Sequence, residues 1–219
     1  MNLEFKESRE LMVENQLRPN KISNPTILNL FKYIKKEDFL REDLRTLSYN
    51  DSDIILDSNR GYLKNLQIAQ LISYSDFSIE DKVLHIGGMT GYVSAILSKL
   101  CKELIIIENN DNFFSLLKDN LENLQINNVK IFNSDLKKGY IELSPYDKIF
   151  IDNPIKELPA ILKKQLNDNY GQIIMVKRIN NELSKAYRIV KNKFNFNEEY
   201  LFDVFTNFEL FKHEEGFIF

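Results

Sequence analysis

The spacing of apolar residues changes character along this chain. Over residues 4–16, Phe5, Leu11, Met12 and Leu17 recur among charges, which predicts a surface helix stopped at Pro19. Asn24-Pro25 reads as an N-cap and first-turn pair, setting a second helix over Thr26–Ile34. Leu66, Ala69, Gln70 and Leu71 set a third over 63–75. Lys35-Lys36-Glu37-Asp38 and Tyr49–Asp53 read as connecting stretches, so residues 1–80 are expected to form a helical cap. From residue 82 short apolar runs alternate with helical spacing. Strands are predicted at 82–86, 103–107, 129–133, 146–151 and 171–177, and helices at 91–101, 111–124 and 156–166. That order predicts an α/β fold with a mostly parallel sheet covered on both faces. Residues 185–190 and 199–205 are expected to pair as an antiparallel hairpin on the sheet edge. The chain reads as one domain over 1–219: a cap and substrate region over 1–80, a ligand-binding core over 81–178, and edge strands over 179–219.

The most informative stretch joins the first two of those strands. Lys82-Val-Leu-His-Ile runs into Gly87-Gly88-Met89-Thr90-Gly91, and a second apolar run, Leu104–Ile107, ends in Glu108. Strand, glycine turn, helix, strand and acid, with the acid about twenty residues past the glycines, is the layout of a nucleotide-type cofactor site. Gly87 lets the strand turn sharply, and Gly91 lets the helix start close under a ligand. Glu108 would accept hydrogen bonds from both ribose hydroxyls. The spacing does not match the dinucleotide G-x-G-x-x-G. It fits better the G-x-G-x-G turn of S-adenosylmethionine enzymes, with Met89 in place of the central glycine. Two more signals sit at strand ends. Asp135 lies where an acid or amide can contact an adenine amino group, and Asp152-Asn153-Pro154 is expected to follow the fourth strand, facing the place where a methyl group would be transferred. The candidate cofactor-binding residues are Gly87, Gly88, Thr90, Gly91, Tyr92, Glu108, Asn109, Asp135, Leu136 and Asp152.

Composition narrows the class. The 219 residues are 43% hydrophobic and 28% charged, with a net charge of -3. This balance gives no general attraction to nucleic acid or anionic membrane, and no apolar run is long enough to span a bilayer. The single cysteine, Cys101, is expected to be a buried inert thiol, and a cytoplasmic location is the default. Two histidines, His85 and His213, offer little to base catalysis and no metal constellation.

Several boxes occur in order along the chain: Met12-Val-Glu-Asn-Gln-Leu17, Lys36-Glu-Asp-Phe39, Tyr49-Asn-Asp51, Ile86-Gly-Gly-Met-Thr-Gly-Tyr92, Tyr146-Asp-Lys-Ile149, Leu158-Pro159 with Gln165-Leu166 and Gly171, and the ending Phe208–Phe219. In this order they resemble the protein-L-isoaspartate O-methyltransferases. The resemblance implies a Rossmann-like methyltransferase sheet and S-adenosylmethionine as donor, with S-adenosylhomocysteine as product. It also implies acceptors that are damaged proteins or peptides carrying isoaspartate. The chain departs from the family pattern at His85, where an acid is usual, and at Met89. It departs again at Leu63 and Asn65, which fall where a serine or threonine and a proline are expected. His85 reads as a hydrogen-bonded structural residue. Met89 puts a side chain where backbone would meet the donor: if it intrudes, reversion to glycine is expected to tighten donor binding, and if the turn accommodates it, no gain is expected. Two alternatives stay open: a methyltransferase with another acceptor, and a catalytically degenerate binding module.

Overall fold

The structure, a computed structural model, describes residues 2–193 and 195–211. His213 and most of the aromatic ending singled out above lie outside them. Among the described residues a seven-stranded sheet carries the fold, in the order β5-β4-β3-β6-β7-β8-β9. These strands are β3 (Lys82–Ile86), β4 (Glu103–Glu108), β5 (Val129–Asn133), β6 (Lys148–Ile155), β7 (Gln172–Arg178), β8 (Leu183–Asn192) and β9 (Asn195–Phe205). The first five are parallel, and β8 and β9 pair antiparallel at one edge.

The central strands are near-continuous apolar runs because both faces are covered. Val83, Leu104, Ile106 and Phe150 face one core, shared with the N-terminal helices α1 (Asn2–Met12), α2 (Pro25–Tyr33) and α3 (Asn65–Tyr74). Leu84, Ile86, Ile105, Ile107, Ile149 and Ile151 face a second core, closed by Leu162 of α6 (Ala160–Lys164). The two period-2 sets along β3 and β4 divide cleanly between these clusters, as strand geometry requires. Helices α4 (Tyr92–Ser98) and α5 (Asp111–Asn123) complete the crossovers on the first side. Cys101 is buried, and burial pushes its thiol up to about 12, so it is unreactive as expected. No helix among the described residues is long and apolar enough to cross a membrane.

Several boundaries differ from the sequence expectation. The cap is not wholly helical: β1 (Ile54–Asp57) and β2 (Arg60–Tyr62) form an antiparallel hairpin inside it. The apolar run Ile54-Ile55-Leu56 is too short to announce a strand, and its partner is held from far along the chain. Asn153 of β6 bonds the Gly61 backbone, accepting from its N–H at 3.4 Å and donating to its carbonyl at 3.1 Å. Gly61 is obligatory in this pairing, because a Cβ there would lie 2.1 Å from the Ile54 carbonyl oxygen. The same contact keeps β6 extended through Asp152-Asn153-Pro154, which belong to the strand rather than following it. Pro19 does not end the first helix: a π-helical turn over Val13–Leu17 passes into a 3-10 turn over Arg18–Asn20 that contains it. Helix α4 starts at Tyr92 because Gly91 has φ of 100°, and α6 starts after the extended Pro159.

Candidate cofactor site

The C-terminal ends of β3, β4, β5 and β6 lie side by side, the position at which open α/β sheets bind ligands. The β3 strand ends in the glycine turn. Gly87 and Gly91 have φ of 85° and 100°, and Met89 has φ of 49°, a left-handed conformation that costs a non-glycine residue roughly 1–2 kcal/mol. Packing as well as torsion fixes the turn. A Cβ at Gly88 would lie 2.5 Å from Ile106, and the Thr90 carbonyl accepts from Asn120 Nδ2 at 2.8 Å. Thr90 Oγ1 donates to the Phe39 carbonyl at 2.7 Å and lies 2.7 Å from the Tyr62 hydroxyl. Tyr92 packs edge-on against Phe31, Phe39 and Tyr62. Thr90 and Tyr92 therefore join the cap to the turn.

Glu108 ends β4 in complete burial. Its Oε2 accepts from the Met89 N–H at 2.9 Å, and its Oε1 accepts from the N–H groups of Asn109 and Asn110 at 2.9 Å each. The latter two precede α5, so the carboxylate also sits at the positive end of a helix. The remaining partner was not foreseen. Arg60 Nη1 donates to Oε1 at 2.8 Å and Nη2 to Oε2 at 2.6 Å, a buried bidentate pair. Burial alone would raise the Glu108 pKa. The hydrogen bonds and charge of Arg60, with the N–H groups of Asn110 and Met89, outweigh it and hold the acid below its ordinary 4.5.

Beside this pair lies a polar cleft of about 620 Å³, bounded by Asn109, Asn110, Asp135, Leu136, Arg60 and Leu210 among others. Of the candidate residues, Asn109, Asp135 and Leu136 line it. Asp135 also closes a local turn by accepting from the Lys137 N–H at 2.9 Å. Gly87 faces a filled space: a Cβ there would lie 2.7 Å from Leu210 Cδ1 and 3.2 Å from Arg60 Nη2. Asp152 is buried, and its Oδ1 lies 3.3 Å from His85 Nε2. His85 Nδ1 lies 2.8 Å from Ser94 Oγ, so this histidine is the hydrogen-bonded core residue expected. Arg60 and Leu210 are the site residues that sequence reading missed. Arg60 carries no motif and Leu210 lies in the family-like ending without any sign of contact with the turn; only the tertiary fold brings them there. Among the described residues no group of three metal-ligating side chains forms.

Met89 corrects an expectation. Its side chain is fully buried in the first core and does not line the cleft. Met89→Gly relieves the positive φ but removes a buried side chain, whose truncation costs roughly 2–5 kcal/mol. The net expectation is a loss of about 1–3 kcal/mol in a denaturant titration, with donor binding unchanged rather than tightened.

Does the site as arranged accept an S-adenosyl ligand? Five donors already point at the two Glu108 oxygens, which leaves no free lone pair for a ribose hydroxyl. Leu210 covers Gly87 as well. In this arrangement the residues do not fit that ligand at its sugar, although the cleft beside Asp135 is open.

The sheet order, the glycine turn and the acid at the end of β4 define a Rossmann-like methyltransferase. The sequence profile described as Protein-L-isoaspartate(D-aspartate) O-methyltransferase matches residues 7–204. The chain belongs to this family of S-adenosylmethionine-dependent methyltransferases. It is 30% identical to the protein-L-isoaspartate O-methyltransferase of Protochlamydia amoebophila over 71% of this chain and 74% of that protein. It is 28% identical to the Dictyoglomus thermophilum protein of the same name, over 90% and 89%. Two solved structures share the fold. One, a protein-L-isoaspartate O-methyltransferase, has a TM-score of 0.79 at 23% identity over 95% of this chain and 66% of its own. The other is a Plasmodium falciparum protein provisionally assigned as a β-aspartate methyltransferase, in complex with S-adenosyl-L-homocysteine. Its TM-score is 0.77 at 19% identity over 94% and 99%.

Proposed function

We propose that this chain transfers a methyl group from S-adenosylmethionine to the abnormal carboxyl of isoaspartyl residues in damaged proteins or peptides. The observation that carries this reading is the family match over residues 7–204. The glycine turn, Glu108 and Asp135 at the ends of adjacent strands support it. A carboxyl acceptor with an ordinary pKa near 4 is already ionised at neutral pH, so no general base is required. The chemistry then rests on holding the reacting centres close and in line. A cytoplasmic setting agrees with the buried, inert Cys101, and the net charge of -3 gives no reason to expect a nucleic-acid acceptor.

A different acceptor is the second reading, and a specific observation favours it. Leu63 is buried in the core, and the Asn65 side chain is engaged on both ends. Its Oδ1 accepts from Lys36 Nζ at 2.9 Å and its Nδ2 donates to the Ser48 carbonyl at 2.9 Å. Leu63 thus brings no hydroxyl to the position where the family pattern has serine or threonine. Methyl release measured with an isoaspartyl peptide, against its aspartyl isomer, separates the two. Turnover of the isoaspartyl form alone supports the first reading. Binding of S-adenosylhomocysteine without such turnover supports the second.

A further inference from the structure

We propose that Arg60 is an internal competitor for the donor's ribose acid, held on Glu108 by the hairpin tip and the tail, and that the donor enters only when Arg60 withdraws. This rests on the reading that the chain binds an S-adenosyl donor. The guanidinium presents two parallel N–H donors to the two oxygens of one carboxylate. A ribose cis-diol presents two O–H donors and needs the same two oxygens. With the backbone N–H groups of Met89, Asn109 and Asn110 taking the rest, guanidinium and diol exclude each other.

The surroundings are those of a contact that can open. Arg60 Nε is buried and has no hydrogen-bond partner, so the closed state leaves one of its donors unsatisfied. Arg60 follows the exposed Ser58-Asn59 tip of a two-stranded hairpin rather than lying in the main sheet. The Asn59 carbonyl accepts from the Glu209 N–H at 2.8 Å, and Leu210 N–H donates to the Pro154 carbonyl at 2.8 Å. Hairpin tip and tail are thereby joined. Glu209 holds the tail further, 3.4 Å from Lys156 Nζ and 3.6 Å from Arg178 Nη1. A second cavity of about 580 Å³ shares Lys137, Glu209 and Phe211 with the first, so these residues line both spaces. A withdrawn Arg60 finds other acids in its own cleft, namely Asp57, Asp135 and Glu209.

A ligand that binds only the open form has its apparent affinity reduced by the open fraction. Titration calorimetry with S-adenosylhomocysteine reads that fraction. Arg60→Gln is expected to bind at least tenfold more tightly than wild type, and Arg60→Lys, with one prong, to fall between them. Leu210→Ala, which removes the tail side chain packed with Arg60 over Gly87 and so eases the withdrawal of Arg60, is expected to tighten binding at least threefold; it also serves if Arg60→Gln does not fold. Wild-type binding that weakens or stays unchanged in Arg60→Gln and Leu210→Ala overturns the competitor role and leaves the donor reading standing. Absence of binding in wild type and every folded variant overturns both.

Discussion

Glu108→Ala is expected to lower the unfolding free energy by about 3–5 kcal/mol at neutral pH, the usual cost of breaking a buried ion pair from one side. The variant leaves the Arg60 guanidinium buried without its counter-charge, and the N–H groups of Met89, Asn109 and Asn110 lose their acceptor. Removing both partners removes the stranded charge. The double variant Arg60→Ala, Glu108→Ala is therefore expected to cost clearly less than the sum of the single variants, a coupling readable from denaturant titrations. The sign with pH also follows. Because the folded pKa of Glu108 lies below its ordinary 4.5, its contribution is present above that pH and is lost as pH falls through the folded value. Glu108→Ala should flatten the acid limb of the stability curve. A double cost equal to the sum of the two single costs would mean that the pair is no more than two independent contacts.

The second large effect belongs to Lys36. Its amine is fully buried, bonded to Asn65 Oδ1 at 2.9 Å and held 5.4 Å from the ring centres of both Tyr62 and Tyr92. Burial pushes its pKa from 10.5 down to about 7, against a smaller upward pull from Asp53. Between those values the unfolded chain carries a proton that the folded chain has released. Stability then rises with pH from about 7 towards 9, by up to about 1.4 kcal/mol per pH unit. The rise levels off near 9, where the unfolded Cys101 thiol ionises while the buried one resists it, and reverses near 10, where unfolded tyrosines ionise while buried Tyr49, Tyr62 and Tyr92 resist it. Lys36→Met should abolish the rise. A wild-type curve flat from about pH 7 to 9 would mean that the amine keeps its proton in the folded state.

Both effects originate in residues with different visibility in the sequence. Glu108 was legible, because an acid ending an apolar strand after a glycine turn has few other reasons to stand there. The parallel core was legible for a similar reason. Runs such as Leu104-Ile-Ile-Ile107 can be accommodated only in strands covered on both faces. The edge hairpin over β8 and β9 was legible from its position after the last buried strand. The place of Met89 in the turn was legible, and the structure gives it a positive φ. The direction of its side chain was not, because that depends on which core offers room.

Local pattern thus determined the secondary structure of the sheet, the family and the glycine turn, since periodicity, glycine torsion and strand-end acids are properties of neighbours in sequence. Tertiary structure alone decided what Glu108 touches. Arg60 and Leu210 reach the turn from a short hairpin and a tail distant in the chain, brought there by Asn153 on Gly61 and by Pro154 on Leu210. A contact between segments so far apart leaves no periodic trace, because its energy depends on the fold that assembles it.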